Sequence, residues 1–200
     1  MTDIRRLLVC LTALVIVGGI AAGALFAASH PDSWRAPPVA GPTVPSCPTV
    51  APTSVGTITI PAGPITEYCQ DRLIKAAYVI TAARSLGIGA HTQATGVMTA
   101  MGESGFRNLH HGDAARADIR VLFQQRANGA WGTLTDRITP STAAHNFFAA
   151  QVNIPGWKLR TPTHAAHAAQ INADANFSTT YWDDAVAVVT AVTNATVPNG

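Results

Sequence analysis

Apolar positions are spaced in three different ways along this chain, and each spacing predicts a different kind of element. From Leu7 to Ala28 they are nearly continuous, broken by Thr12 and a few glycines, with Arg5 and Arg6 just ahead. At about 1.5 Å per residue that run reaches roughly 30 Å, enough for one helix to cross a bilayer. The arginines favour a cytoplasmic N-terminus, which places everything after Ala28 outside. The other reading is a cleaved signal peptide, with Ala22-Gly23-Ala24 as its small-residue site. Signal h-regions span only about 7–15 residues, so the length of the run favours a retained anchor. Under either reading the remainder of the chain is exported.

Residues 29–64 carry no sustained apolar period. Prolines at 31, 37, 38, 42, 45, 48, 52, 61 and 64 are mixed with Ser, Thr, Gly and Val, so neither a helix nor a central strand persists there. The segment is expected to be a semi-extended spacer. Its one exception is near residues 55–60, where Val55, Thr57 and Thr59 alternate with Gly56, Ile58 and Ile60 and a short strand can form.

From Thr66 the spacing becomes helical. Cys69, Leu73, Ala76, Ala77, Ile80 and Ala83 recur on one face, with Thr66 placed to cap the start and Gly87 to end it. A second helix is predicted over residues 91–101, burying Ala94, Val97, Met98 and Met101. At about 100° per residue Glu103 falls nearly opposite that stripe, on the side of Gly96 and Thr99. Helix geometry alone therefore points Glu103 to solvent, with a cleft as the alternative. Further helices are expected over residues 141–152, 164–171 and 180–192, two of them preceded by Pro140 and Pro162. The fold class is thus mostly α: one α-helical domain over residues 65–195, preceded by the anchor (1–28) and the Pro-rich linker (29–64).

Composition narrows the picture. Charged residues are 12% of the 200 and the net charge is +2, against about a quarter charged in ordinary domains. No basic block exceeds Arg5-Arg6, so a nucleic-acid partner is not expected. Of three cysteines, Cys10 lies in the apolar run as a small apolar residue. Cys47 and Cys69 fall on the exported side, where a disulfide persists, and are expected to be bridged to each other, with independent thiols as the alternative. A bridge would pin the end of the linker to the first domain helix.

With only 11 acidic residues in the chain, Glu103 stands out in Gly102-Glu103-Ser104-Gly105-Phe106. Cleaving a glycosidic bond requires a carboxylic acid that keeps its proton near neutral pH, and apolar surroundings raise a Glu pKa to about 6. Glycines on both sides let a sugar ring approach the backbone. Ser104 and Asn108 are suited to orienting the turn or to bonding substrate hydroxyls.

The ordered series Met98-Thr-Ala-Met-Gly-Glu-Ser-Gly-Phe-Arg-Asn-Leu109, Gly112-Asp113, Leu122-Phe123-Gln124-Gln125-Arg126 and Trp131-Gly132-Thr133 resembles the actinobacterial cell-wall hydrolases of the lysozyme superfamily. These are relatives of lytic transglycosylases and goose-type lysozymes. The similarity continues through Ile154-Pro155-Gly156-Trp157, Ala168-Ala169-Gln170 and Tyr181, covering about residues 66–192. The resemblance implies a lysozyme-like domain acting on peptidoglycan glycan strands, with Glu103 as the single general acid/base and no cofactor. Gln124 and Gln125 match glutamines that line the substrate, and Phe123 the residue packed between them and the core. Ser104, Gln170, Trp131 and Tyr181 complete the expected substrate-binding set. Together with membrane attachment through residues 7–28, this suggests local opening of the wall for a secretion or conjugation apparatus.

Two departures bear on activity. Relatives read Asp-Ser-x-Gly before Leu-Phe-Gln-Gln, where this chain has Asp118-Ile119-Arg120-Val121, and Ile171 and Asn172 replace Arg and Ser. A weakly active or inactive glycan-binding module, stacking Trp131, Trp157, Tyr181 and Trp182 on sugar rings, is accordingly the second reading. A His-based metal site is the third. His164 and His167 share a helical face and His110-His111 adjoins Asp113, but the spacing supplies no third or fourth ligand, so no metal site is expected. A serine-hydrolase elbow, Gly-x-Ser-x-Gly, is absent from the sequence.

Overall fold

The structure, a computed structural model, describes residues 46–107, 122–171 and 174–198. The predicted anchor and the linker up to residue 45 lie outside the described residues, as do Asn108, Asp113, Ile119 and Val121. Among the described residues no helix is long and apolar enough to cross a membrane.

The described chain is mostly helical. An antiparallel hairpin, β1 (Thr53–Val55) and β2 (Ile58–Ile60), is followed by helices α1 (Gln70–Ser85), α2 (Ala90–Ser104), α3 (Leu134–Ile138), α4 (Pro140–Val152), α5 (Pro162–Gln170) and α6 (Trp182–Thr193). Gly56 makes the hairpin turn at φ +57°, a conformation glycine adopts without cost. Thr53 pairs with Ile60 and Val55 with Ile58. Ile58 and Ile60 are buried in the core while Thr59 faces out. The last part of the predicted linker therefore belongs to the folded body. Its period-two alternation outweighs the prolines around it.

The stripe predicted for α1 is buried, but its start differs from expectation. Thr66 takes φ +52° and caps nothing. Ile65 and Tyr68 instead exchange backbone hydrogen bonds of 3.2 and 3.1 Å across a tight turn, and Cys69 is the N-cap. Cys69 is bridged to Cys47, with a Cα–Cα distance of 5.5 Å. At the other end Gly87 (φ +69°) donates its N–H to the Arg84 carbonyl and stops the helix.

α2 is the central helix. It packs against α1, α4, α5 and α6, and every residue from Gln93 to Met101 is buried. Small residues permit this close approach. A Cβ added at Gly96 would lie 2.3 Å from Cζ of Phe148, so the Phe148 ring of α4 sits directly on the α2 backbone. Phe147 stacks on Phe123 with centroids 4.7 Å apart and meets Phe148 edge-on at 5.1 Å. Pro140 and Pro162 occupy the first helical positions of α4 and α5, where a missing N–H costs nothing. The short α3, not anticipated from apolar spacing, is held by a capping box in which Thr133 and Asp136 bond each other's backbone N–H.

Gly96→Ala should destabilise the fold by about 1–3 kcal/mol through overpacking, although alanine improves helix propensity by up to about 1 kcal/mol. Urea unfolding measures this, and a parent-like midpoint would contradict the Phe148 contact. Replacing Cys47 and Cys69 together by serine should lower stability by roughly 3 kcal/mol on the loop-entropy model, with unchanged helical circular dichroism.

Candidate active site

Glu103 belongs to the last turn of α2, which ends through Gly105 at φ +57° with the Gly105 N–H on the Met101 carbonyl at 2.8 Å. The residues one and two turns earlier on its side, Thr99 and Gly96, do not meet solvent. Thr99 is fully buried and Gly96 lies under Phe148. That face is core until the final turn, where Glu103 emerges half-buried on the wall of a cleft. The solvent position drawn from the helical wheel is thus corrected, because α2 has no wet face over most of its length.

The cleft holds about 360 Å³ and is lined by Glu67, Tyr68 and Arg72 at the start of α1, by residues 101–105 and Arg107 at the end of α2, and by Tyr181. Gly102 is closely packed at this spot. A Cβ there would come 3.1 Å from Ser178 Oγ, 3.2 Å from Phe177 Cε1 and 3.4 Å from Tyr181 Cε2. Two aromatic rings therefore crowd the backbone beside Glu103. Phe106 (φ +59°) and Gln124 (φ +48°) also hold left-handed backbone next to the site. Such conformations cost about 1–3 kcal/mol for non-glycine residues and gather where surrounding contacts over-determine them.

Most of the glutamines and aromatics expected to bind substrate are used to position this segment. The Ser104 hydroxyl, itself on the cleft wall, lies 2.9 Å from the Leu122 carbonyl and 3.1 Å from that of Ala100. The Gln124 amide donates to the Glu103 carbonyl, and the Gln170 amide donates to the Phe123 carbonyl at 3.1 Å. Gln125 is 2% exposed and donates to the Ala143 carbonyl at 2.9 Å, while Arg137 donates to the Gln125 carbonyl at 3.1 Å. Phe123, 1% exposed, stacks in the core. Trp131 is 8% exposed, receives a bond from Asn146 at its carbonyl, and does not line the cleft. As placed, Phe123, Gln125 and Trp131 offer a ligand almost no surface. Of the expected set, Glu103, Ser104 and Tyr181 share the cleft.

No protein-family model matches this chain, and no curated protein matches it. The site is defined by its own geometry.

That geometry adds residues which apolar spacing did not single out. Glu67 is exposed at the cleft wall, and Tyr68 beside it is 1% exposed with its ring edge-on to Phe106 at 5.2 Å. Burial, and next the Glu67 carboxylate that the Tyr68 hydroxyl bonds, push this hydroxyl well above its ordinary value. Asp184 of α6 is raised in turn by desolvation and by Glu67, against a hydrogen bond from Thr66 that lowers it. The one cue in the sequence was density, since Glu67, Asp71 and Arg72 stand together in a chain of low charge. Among the described residues no group of three or more His, Cys, Asp or Glu side chains is placed to hold a metal ion. His110 and His111 lie outside them.

Because folding raises the Tyr68 pKa, its contribution is intact below the ordinary tyrosine value of 10.0 and declines as pH rises beyond it. Urea midpoints followed from about pH 8 to about pH 11 should fall along the upper part of that range. Tyr68→Phe should flatten the fall, and an equally steep decline in the variant would assign it to other groups.

Proposed function

We propose that this chain is a peptidoglycan-cleaving enzyme of lysozyme-like fold, acting as a lytic transglycosylase with Glu103 as its single general acid and base. One observation carries this reading: a half-buried carboxylate at the open end of an otherwise buried helix, on the wall of an open cleft, between glycines and beside Tyr181. The buried body of α2 fixes the position of the acid. Gly105, with open space where a side chain would stand, leaves the backbone accessible to a close-lying ring, and Tyr181, packed against Gly102, supplies an aromatic face on which a sugar can stack. The Gln124 bond to the Glu103 carbonyl and the Ser104 bond to Leu122 hold the adjoining wall in register.

In this mechanism protonated Glu103 donates to the glycosidic oxygen as the bond to the anomeric carbon breaks. The N-acetyl group of the same sugar stabilises the positive charge. The sugar's 6-hydroxyl then attacks the anomeric carbon and returns its proton to Glu103, closing an anhydro ring. Water in place of that hydroxyl would give a reducing end, the muramidase outcome. With residues 7–28 as an anchor, the domain would open glycan strands close to the membrane, where a secretion or conjugation apparatus needs passage.

Incubation of the protein with purified peptidoglycan, read by mass spectrometry, should release fragments with anhydro ends. Glu103→Gln should lower release by at least about a hundredfold with an unchanged unfolding midpoint. Binding without release by the parent protein would overturn the enzymatic reading in favour of a glycan-binding module.

A further inference from the structure

Arg72 is the least explained charge in the cleft. It sits in the first turn of α1, one turn after Cys69, is half-buried, and lines the same cavity as Glu103. Among the described residues no ion pair or hydrogen bond reaches its guanidinium. Glu67, on the same wall, is engaged by the Tyr68 hydroxyl. Arg107 adds a second, exposed cation to the lining.

A guanidinium does not shed its proton, so partial burial removes hydration that only an anion or a set of acceptors can replace. Its planar fork matches a carboxylate, which accepts two parallel N–H bonds. A neutral saccharide could offer hydroxyl acceptors but no compensating charge. Resting on the proposed glycan-cleaving function, we infer that Arg72 is a specificity-determining residue that pairs with a carboxylate carried by the saccharide bound beside Glu103. The substrate is then an acidic glycan and not a neutral one. Two sources of that carboxylate exist on wall glycan: the lactyl group of a muramic acid that has lost its peptide, and the peptide arm of one that retains it.

The full chain carrying Glu103→Gln, which removes turnover, is titrated with three probes: a neutral N-acetylglucosamine oligomer, a peptide-free muramic-acid-containing oligomer, and its peptide-bearing counterpart. At least one carboxylated probe should bind about tenfold tighter than the neutral one, an advantage that shrinks with added salt. The tighter of the two identifies the source. Adding Arg72→Gln should erase the advantage while leaving neutral-oligomer binding and the unfolding midpoint unchanged, and Arg72→Lys should restore part of it. Equal affinity for all three probes, or an advantage that survives Arg72→Gln, overturns the inference. Cleavage by the parent chain is scored separately. Carboxylate-dependent binding without cleavage removes the proposed enzyme but leaves Arg72 its role, cleavage with no carboxylate preference does the reverse, and no binding of any probe removes both.

Discussion

The contact of the Phe148 ring with the backbone at Gly96 determines how near α4 can come to α2, and the placement of the site depends on it. A helix with large residues on that side would stand away from α4 and leave a wet face running toward its C-terminal end. With glycine there, α2 is enclosed from Gln93 to Met101. Only its last turn is released, and the transition from core to cleft takes place over Gly102 and Glu103. The acid is therefore fixed by a rigid, buried rod, in contrast to a carboxylate on a loop, whose position would vary with the loop.

The wall beside that turn is organised by side-chain donors (amides, a hydroxyl and a guanidinium) acting on backbone carbonyls. Ser104, Gln170 and Arg137 bond the carbonyls of Leu122, Phe123 and Gln125. Gln125 reaches across to α4, and Gln124 back to α2. Buried polar groups are costly unless paired, so these bonds specify one arrangement of the turn more strongly than apolar packing alone would, although Gln125 Oε1 stays buried without a hydrogen bond. Phe123 stacked on Phe147 seats the same turn in the core. The residues thus form a strut between α2, α4 and α5, and what they contribute to chemistry passes through the placement of Glu103 and its surroundings.

Helical spacing made the existence of α1, α2, α4, α5 and α6 legible, since their apolar stripes are long enough to register. What it could not convey was the number of neighbours around each helix. A wheel with one apolar stripe assumes one wet face, and α2 breaks that assumption with Gly96, Thr95 and Thr99, small residues that read as neutral. Gln125, which the resemblance sets among substrate-lining glutamines, is buried and bonded to the Ala143 carbonyl, a placement that no periodicity of apolar residues conveys. Glu67 and Arg72 escaped notice because they reach the cleft from the far end of another helix. Only tertiary packing brings α1 and α2 together there. The Ile58–Ile60 strand was visible as alternation, but its burial depended on a core that the linker's composition does not announce.

The Cys47–Cys69 bridge also fixes how the domain bears load. Any pull on the chain upstream of Cys47 crosses the sulfur atoms to Cys69 at the head of α1. The residues between them, including the hairpin, carry no tension and cannot be peeled from the core. Force arrives next to Glu67, Tyr68 and Arg72, at the cleft's own rim. The bond thus makes the start of α1 the mechanical anchorage of the folded body.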